Sequence, residues 1–276
     1  MSERISGPES TVVRLASSDV ACELAGEGSP PLVLVHGLGA STVLWRDLQP
    51  RLGDGHRVLA FDLRGAGRTR ERERRELSLA TWADDLRGLL GALELEPPVF
   101  VGHSLGAAVA LKYALTYPDD VAGLVLMGTD PDLANLAPRM QAAAELIERV
   151  GLETWVSEHW VKNPPFAAAS LERSPELLDR YRAMLLANDD GDYVRTCRAI
   201  ATAESLGGRL GDVAQPALVL VCSEDDRTLP EHGRRLAERL PDAGFVELAG
   251  VGHTMPFEAP DEVAAAVTGF VAERAA

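Results

Sequence analysis

Four short, almost uninterrupted apolar runs constrain this chain more than any other feature: Leu32–Val35, Val58–Phe61, Val99–Val101 and Leu124–Met127. A strand with one wet face alternates apolar and polar residues. A strand that is apolar throughout needs cover on both faces, which a parallel sheet clothed in helices provides. Amphipathic stretches around 79–94 and 105–117 lie between the runs. Alternating strands and helices imply right-handed crossovers and an α/β fold with a mostly parallel, doubly wound sheet. Ahead of them, residues 11–25 read as a β-hairpin turning at Ser17, Ser18 and Asp19.

After "GLVLMGTDP" the alternation stops. Residues 131–208 show helical patterns at 138–150, 152–161, 175–187 and 191–205, with breaks at Gly151, Pro164-Pro165 and Gly191, and no convincing strand. Strand and helix resume with "PALVLVC" (216–222), a helix from 231, a strand at "GFVELAG" and a last helix from 261. The expected organisation is a core domain, 1–130 and 209–276, interrupted by a helical cap, 131–208, laid over an active site. The run "RTRERERRE" (68–76) mixes both signs and reads as a solvated loop or helix start.

With 276 residues, 46% of them apolar, the chain can bury a large core. Its formal charge of −15 disfavours nucleic acid and anionic membranes as partners. The first ten residues, "MSERISGPES", are polar and lack a signal-peptide core, and no apolar stretch approaches bilayer length. Cys22, Cys197 and Cys222 are too few and too scattered for a zinc site or a disulfide framework. The expectation is a cytoplasmic protein with no metal or organic cofactor; its oligomeric state is open.

The sharpest local break is in "PPVFVGHSLGAAVALKYAL" (97–115), where an apolar run ends in Gly-His-Ser-Leu-Gly and a helical pattern begins at once. Gly-x-Ser-x-Gly alone is weak evidence; between a buried strand and a helix it is the context of a nucleophile elbow. The sharp turn pushes the Ser104 hydroxyl out above the sheet, glycines at 102 and 106 relieve crowding, and the helix start aims free N–H groups at developing negative charge.

A serine hydroxyl needs a base, and the base an orienting acid. His253, in "LAGVGHTMPFEAP", follows a strand at the carboxyl edge of the sheet and is the expected base. His36 and His103 sit in tight corners, His56 precedes a strand, His159 lies in the cap and His232 on an exposed-looking helix, so all five read as structural or surface residues. For the acid, "VCSEDDRTLP" offers Glu224, Asp225 and Asp226. Asp226 is preferred because it lies late in the turn; Asp130, after the preceding strand, is the rival. In "LVLVHGLGAS" the glycines let backbone approach a substrate closely, so the N–H groups of Leu38 and Leu105 are the expected oxyanion hole.

Jointly, "VLVHGLGAS", "FDLRGAGRT", "VGHSLGAAVAL", "YPDDVAGLVLMGT", "EDDRTLP" and "GVGHTMPFEAP" resemble the α/β-hydrolase superfamily from residue 30 to 272. The resemblance implies an α/β-hydrolase fold with an inserted cap, a triad at Ser104, Asp226 and His253, and a mostly structural loop at Asp62, Arg64, Gly65 and Gly67. The chain departs from the family pattern mildly at Ala66, Thr69 and Ala107. The insertion is similar to the caps of 3-oxoadipate enol-lactonases, and within it Trp155 and Trp160 read equally as pocket lining or cap core. The expected activity is cofactor-independent serine hydrolysis of a small carboxylic ester or lactone. Alternatives are carbon–carbon bond hydrolysis of ring-cleavage products, disfavoured by Thr254 where that group usually carries tryptophan; acyl transfer or perhydrolysis; and, outside enzymes, a ligand-binding receptor on the same fold.

Overall fold

The computed structural model describes residues 8–275. Residues 1–7, on which much of the reading of the N-terminus rests, lie outside the described residues. The expected hairpin is present as β1 (Glu9–Arg14) and β2 (Ser18–Ala25), antiparallel, but it turns over residues 15–17, and Ser18 and Asp19 already belong to β2, where Asp19 pairs with Arg14. The apolar runs form β3 (Leu32–Val35) and β4 (Val58–Phe61), then, after a two-residue β5 (Arg70–Glu71), β6 (Val99–His103) and β7 (Gly123–Met127). The late runs form β8 (Ala217–Cys222) and β9 (Ala243–Leu248). Every residue of β3, β4, β6, β7 and β8 is buried, as strands covered on both faces require.

The strand order is β1-β2-β4-β3-β6-β7-β8-β9, with β5 paired to β2. From β3 the chain steps to β4 on one side and later returns to β6 on the other. That reversal opens a crevice at the carboxyl ends of β3 and β6, the usual place for a ligand in an open α/β sheet. Register makes it specific: Val35 pairs with Gly102, so the His36–Gly39 loop and the Ser104 turn leave the sheet side by side. Strand β6 runs two residues past its apolar run because Gly102 and His103 still pair with Leu126 and Met127.

Between β7 and β8 the described elements are all helical: Ala137–Val150, Leu152–Glu158, Ala168–Arg173, Glu176–Leu186 and Asp190–Ala201, with short 3-10 turns. Two details differ from the sequence reading. Gly191 does not break the chain but sits in the first turn of Asp190–Ala201, because the Asp189 side chain caps that helix by accepting from the Asp192 N–H at 3.0 Å. Helix Ala168–Arg173 has no counterpart in the sequence reading; at six residues, four of them exposed, it carries too little periodicity to read. No described helix is long and apolar enough to cross a membrane.

The charge run at 68–76 is not simply solvated. Glu71 is half-buried and joins Arg64 at 3.4 Å to Arg195 of the insertion at 2.6 Å. Arg64, wholly enclosed, makes a bidentate pair with Asp85 (2.6 and 2.7 Å) and donates to Ser17 Oγ at 2.7 Å. Its planar fork suits that geometry, and Asp85 holds the guanidinium pKa above its ordinary value. Removing Asp85 leaves the enclosed guanidinium with only the longer pair to Glu71, and breaking a buried pair typically costs about 3–5 kcal/mol. Asp85→Ala is therefore expected to lose about that much unfolding free energy in urea titration at pH 7; a loss under about 1 kcal/mol contradicts this view of the loop.

Candidate active site

Ser104 sits at φ 55° and ψ −118°, one of two described non-glycine residues with positive φ. Such a conformation costs on the order of 1–3 kcal/mol and persists only where its surroundings over-determine it. Here they do. A Cβ on Gly102 would stand 2.5 Å from Ala107 Cα, and one on Gly106 would stand 1.9 Å from the carbonyl oxygen of Val35. The two glycines let strand, turn and helix Leu105–Thr116 pack backbone to backbone. Gly37 is less confined but close: a Cβ there would meet Ser104 Cβ at 3.1 Å. The His36–Gly39 loop thus lies directly against the serine.

That loop is pinned by its own histidine. The Leu63 N–H donates to His36 Nε2 at 2.9 Å, so the ring proton is on Nδ1, which donates to the Gly37 carbonyl at 2.8 Å. Burial pushes the His36 pKa down despite nearby Asp62, consistent with a neutral ring. Asn188 of the insertion adds a second tether, donating to the Gly39 carbonyl at 2.8 Å and accepting from the Gly67 N–H at 3.1 Å. The N–H groups of Leu38 and Leu105 donate to no acceptor among the described residues, and both residues border the same cavity as Ser104. Two free donors beside a hydroxyl can receive an oxyanion.

His253 also borders that cavity. Its Nδ1 lies 2.8 Å from Asp225 Oδ2, leaving Nε2 as the free ring nitrogen. Asp225 is buried, and its other oxygen accepts from the N–H groups of Arg227 (2.8 Å) and Thr228 (2.9 Å). Burial alone would raise its pKa, but His253 and these hydrogen bonds outweigh burial and hold the carboxyl below its ordinary range.

The expectation for Asp226 is therefore corrected: the acid facing His253 is Asp225. The turn closes on the Asp225 side chain and draws it inward. Asp226, the next residue, points out; its side chain is 52% exposed and accepts from Asn163 Nδ2 at 3.0 Å. The rival Asp130 is also displaced, lying 3.2 Å from His232 Nδ1 and accepting from the Asp132 N–H and from Asn135.

Two further residues organise the histidine, and the sequence reading missed both roles. His103 Nε2 donates to the His253 carbonyl at 2.8 Å, and burial, with the neighbouring His253 ring, pushes its pKa down to about 3. Glu258 is buried with no basic side chain paired to it among the described residues; its carboxylate accepts from Gly252 N–H (2.9 Å), Thr254 N–H (3.1 Å) and Ala167 N–H (3.0 Å). It grips the backbone on both sides of His253 and ties it to the insertion. The only available sequence signal was an acid five residues after the histidine.

The cavity, of about 360 Å³, lies between the sheet crevice and the inserted helices. Trp155 and Trp160 both line it, Trp155 against Tyr193 (5.7 Å between centroids) and Trp160 stacked on Tyr181 (5.5 Å, 2° between planes). They are pocket wall and aromatic packing at once. His159, read as a structural or surface residue, is also part of the lining.

Residues 32–266 match the model of the alpha/beta hydrolase family, and the chain belongs to that family. Among curated proteins it is 32% identical over 231 residues to the "Putative carbamate hydrolase RutD" of Serratia proteamaculans, covering 82% of this chain and 85% of that one. Among solved structures it is similar to the enol-lactonase of Burkholderia xenovorans LB400, with TM-score 0.85, 25% identity, and 95% of this chain and 100% of that one covered. It is also similar to a thermophilic esterase from Thermogutta terrifontis in its malate-bound form, with TM-score 0.86, 26% identity and coverage of 97% and 100%.

Two outcomes follow for the groups around His253. An unfolded histidine titrates near pH 6.5, whereas His103 stays neutral until about pH 3, so the unfolded chain binds the extra proton between those values. Unfolding free energy should fall as pH drops below about 6.5, and less steeply in His103→Gln; equal slopes in urea titrations from pH 7 to 5 contradict the buried neutral ring. Glu258→Gln places an amide where backbone N–H groups point. It should cost about 1–3 kcal/mol of stability in the same assay, and unchanged stability contradicts the assigned hydrogen bonds.

Proposed function

We propose that the protein is a serine hydrolase acting on a small carboxylic ester or lactone through an acyl-enzyme intermediate. The observation that carries this reading is one cavity bordered by Ser104, by His253 bonded at 2.8 Å to buried Asp225, and by the unused N–H groups of Leu38 and Leu105. Membership of the alpha/beta hydrolase family and similarity to an enol-lactonase and an esterase support it.

In this mechanism Ser104 Oγ attacks the carbonyl carbon as His253 Nε2 takes its proton. Asp225 holds the ring with Nδ1–H directed at its carboxylate and stabilises the imidazolium that forms. The carbonyl oxygen becomes an oxyanion received by Leu38 and Leu105 N–H; losing one such donor typically costs about 3–4 kcal/mol of transition-state stabilisation. The tetrahedral intermediate collapses, the C–O bond to the leaving alcohol breaks, and His253 donates its proton to the departing oxygen. Water then attacks the Ser104 ester with His253 again as base, releasing the acid and restoring the hydroxyl. A lactone follows the same course, its leaving oxygen staying tethered to the acyl chain. The 32% identical relative named as a carbamate hydrolase brings carbamate esters into the substrate panel, since the same attack on their carbonyl needs no additional group.

Initial rates on a 4-nitrophenyl ester test the assignment. Ser104→Ala is expected to lower kcat/KM about 10⁴-fold or more, and Asp225→Asn about 10³- to 10⁴-fold. Asp226→Asn should stay within about threefold of wild type, since that carboxylate faces away from the histidine. If Asp226→Asn is the crippled variant and Asp225→Asn is not, the acid assigned here is wrong.

A further inference from the structure

Among the described residues, the loop after β3 is hydrogen-bonded to the core at its two shoulders and not between them. At the first shoulder, His36 accepts from the Leu63 N–H and donates to the Gly37 carbonyl. At the second, the Thr42 N–H donates to buried Asp62 at 2.7 Å. The crest between them, Leu38 and Gly39, carries one of the two N–H groups assigned to the oxyanion. The Gly39 carbonyl accepts from a single donor among the described residues, Asn188 Nδ2 at 2.8 Å.

Asn188 lies between helices Glu176–Leu186 and Asp190–Ala201, and its amide is fully committed. Nδ2 also donates to the Met184 and Leu185 carbonyls at 3.2 and 3.0 Å, and Oδ1 accepts from the Gly67 N–H at 3.1 Å. That set fixes its orientation: turned over, the amide would set its oxygen against three carbonyls and its NH2 against an N–H. The same two helices press on the crest. A Cβ on Gly39, which sits at φ 69°, would stand 2.6 Å from Tyr193 Cε2 and 2.7 Å from Leu185 Cδ2. Gly67, the other partner of Asn188, belongs to the loop after β4, where Asp62 accepts from the Arg68 N–H at 2.7 Å. Asn188 therefore bridges two loops that both fasten on Asp62. An oxyanion donor is worth most when it is aimed before the charge develops, and a hydrogen bond weakens steeply off line. Glycine gives the crest little stiffness of its own, so the aim has to come from a partner.

We propose that Asn188 is a positioning residue for the oxyanion hole: by holding the Gly39 carbonyl it sets the direction of the Leu38 N–H, so the helices between β7 and β8 act on the chemical step and not only on the shape of the cavity. The inference rests on the hydrolase reading above and adds to it a residue that does not border the cavity.

The test pairs initial rates on 4-nitrophenyl hexanoate with binding of 1,1,1-trifluoroheptan-2-one, followed by fluorine NMR. The carbon of that ketone takes Ser104 Oγ, and its oxygen becomes the oxyanion. In Asn188→Ala, kcat is expected to fall about tenfold or more, up to the roughly 10²–10³-fold lost with a whole donor, while KM stays within about threefold. Affinity for the ketone should fall by the same factor, because it draws on the same donors. Should the alanine variant not fold, Asn188→Ser, whose hydroxyl is too short to reach Gly39, reads the same loss. Arg195→Gln is the control. Arg195 ties helix Asp190–Ala201 to Glu71 at 2.6 Å and makes no hydrogen bond to the loop after β3, so its loss should leave kcat within about twofold. A kcat for Asn188→Ala within about twofold of wild type, an unchanged affinity for the ketone, or an equal loss of kcat in Arg195→Gln overturns the proposal and leaves the hydrolase reading intact. If the wild-type protein cleaves no ester, the hydrolase reading fails and the ketone alone decides. Binding weakened about tenfold or more by Asn188→Ala then upholds the positioning role, and absent or undiminished binding overturns it.

Discussion

The rest of the structure depends on how tightly the backbone closes around Ser104. A serine at φ 55° is stable only if its neighbours allow no alternative, and Gly102 and Gly106 meet that condition by having no side chain. The carbonyl of Val35 fills the space that a Cβ on residue 106 would occupy. One contact therefore fixes three things: the direction of the hydroxyl, the start of helix Leu105–Thr116, and the nearness of the loop that follows β3. The parallel register that pairs Val35 with Gly102 is what makes the contact possible.

Around that turn, the buried polar groups are matched so that each loop has one chemical state. His36 is a neutral donor to its own loop, and His103 a neutral donor to the His253 carbonyl. Asp225 is a carboxylate held by one ring and two backbone N–H groups, and Glu258 one held by three backbone N–H groups. Unpaired charges at these depths would cost more than the hydrogen bonds return, so the pairing restricts each loop to one arrangement. The insertion shares in it through Asn188, Ala167 and Arg195, which reach the Gly39 loop, Glu258 and Glu71. The position of the helices between β7 and β8 and the geometry around Ser104 are consequently not independent.

The sheet was legible because burial on both faces leaves an unambiguous mark in composition, and β3, β4, β6 and β7 lie where their apolar runs are. The elbow was legible because its glycines answer a steric demand that is local in sequence. The acid was not. Glu224, Asp225 and Asp226 are consecutive, and which one faces inward depends on a turn that closes through Asp225 Oδ1, a tertiary detail with no composition signal. Glu258 and the charge run at 68–76 were missed for a related reason: their partners are Ala167 and Arg195, 91 and 124 residues away in sequence. The cavity wall was partly visible in Trp155 and Trp160.

The central claim is that the hydroxyl of Ser104 is activated and open to the cavity. Incubation with a small fluorophosphonate, followed by intact mass measurement and peptide mapping, tests it directly. The account predicts one adduct per chain, on the peptide containing Ser104, formed much more slowly when Asp225 is replaced by Asn. No adduct, or an adduct on any other residue, would contradict it.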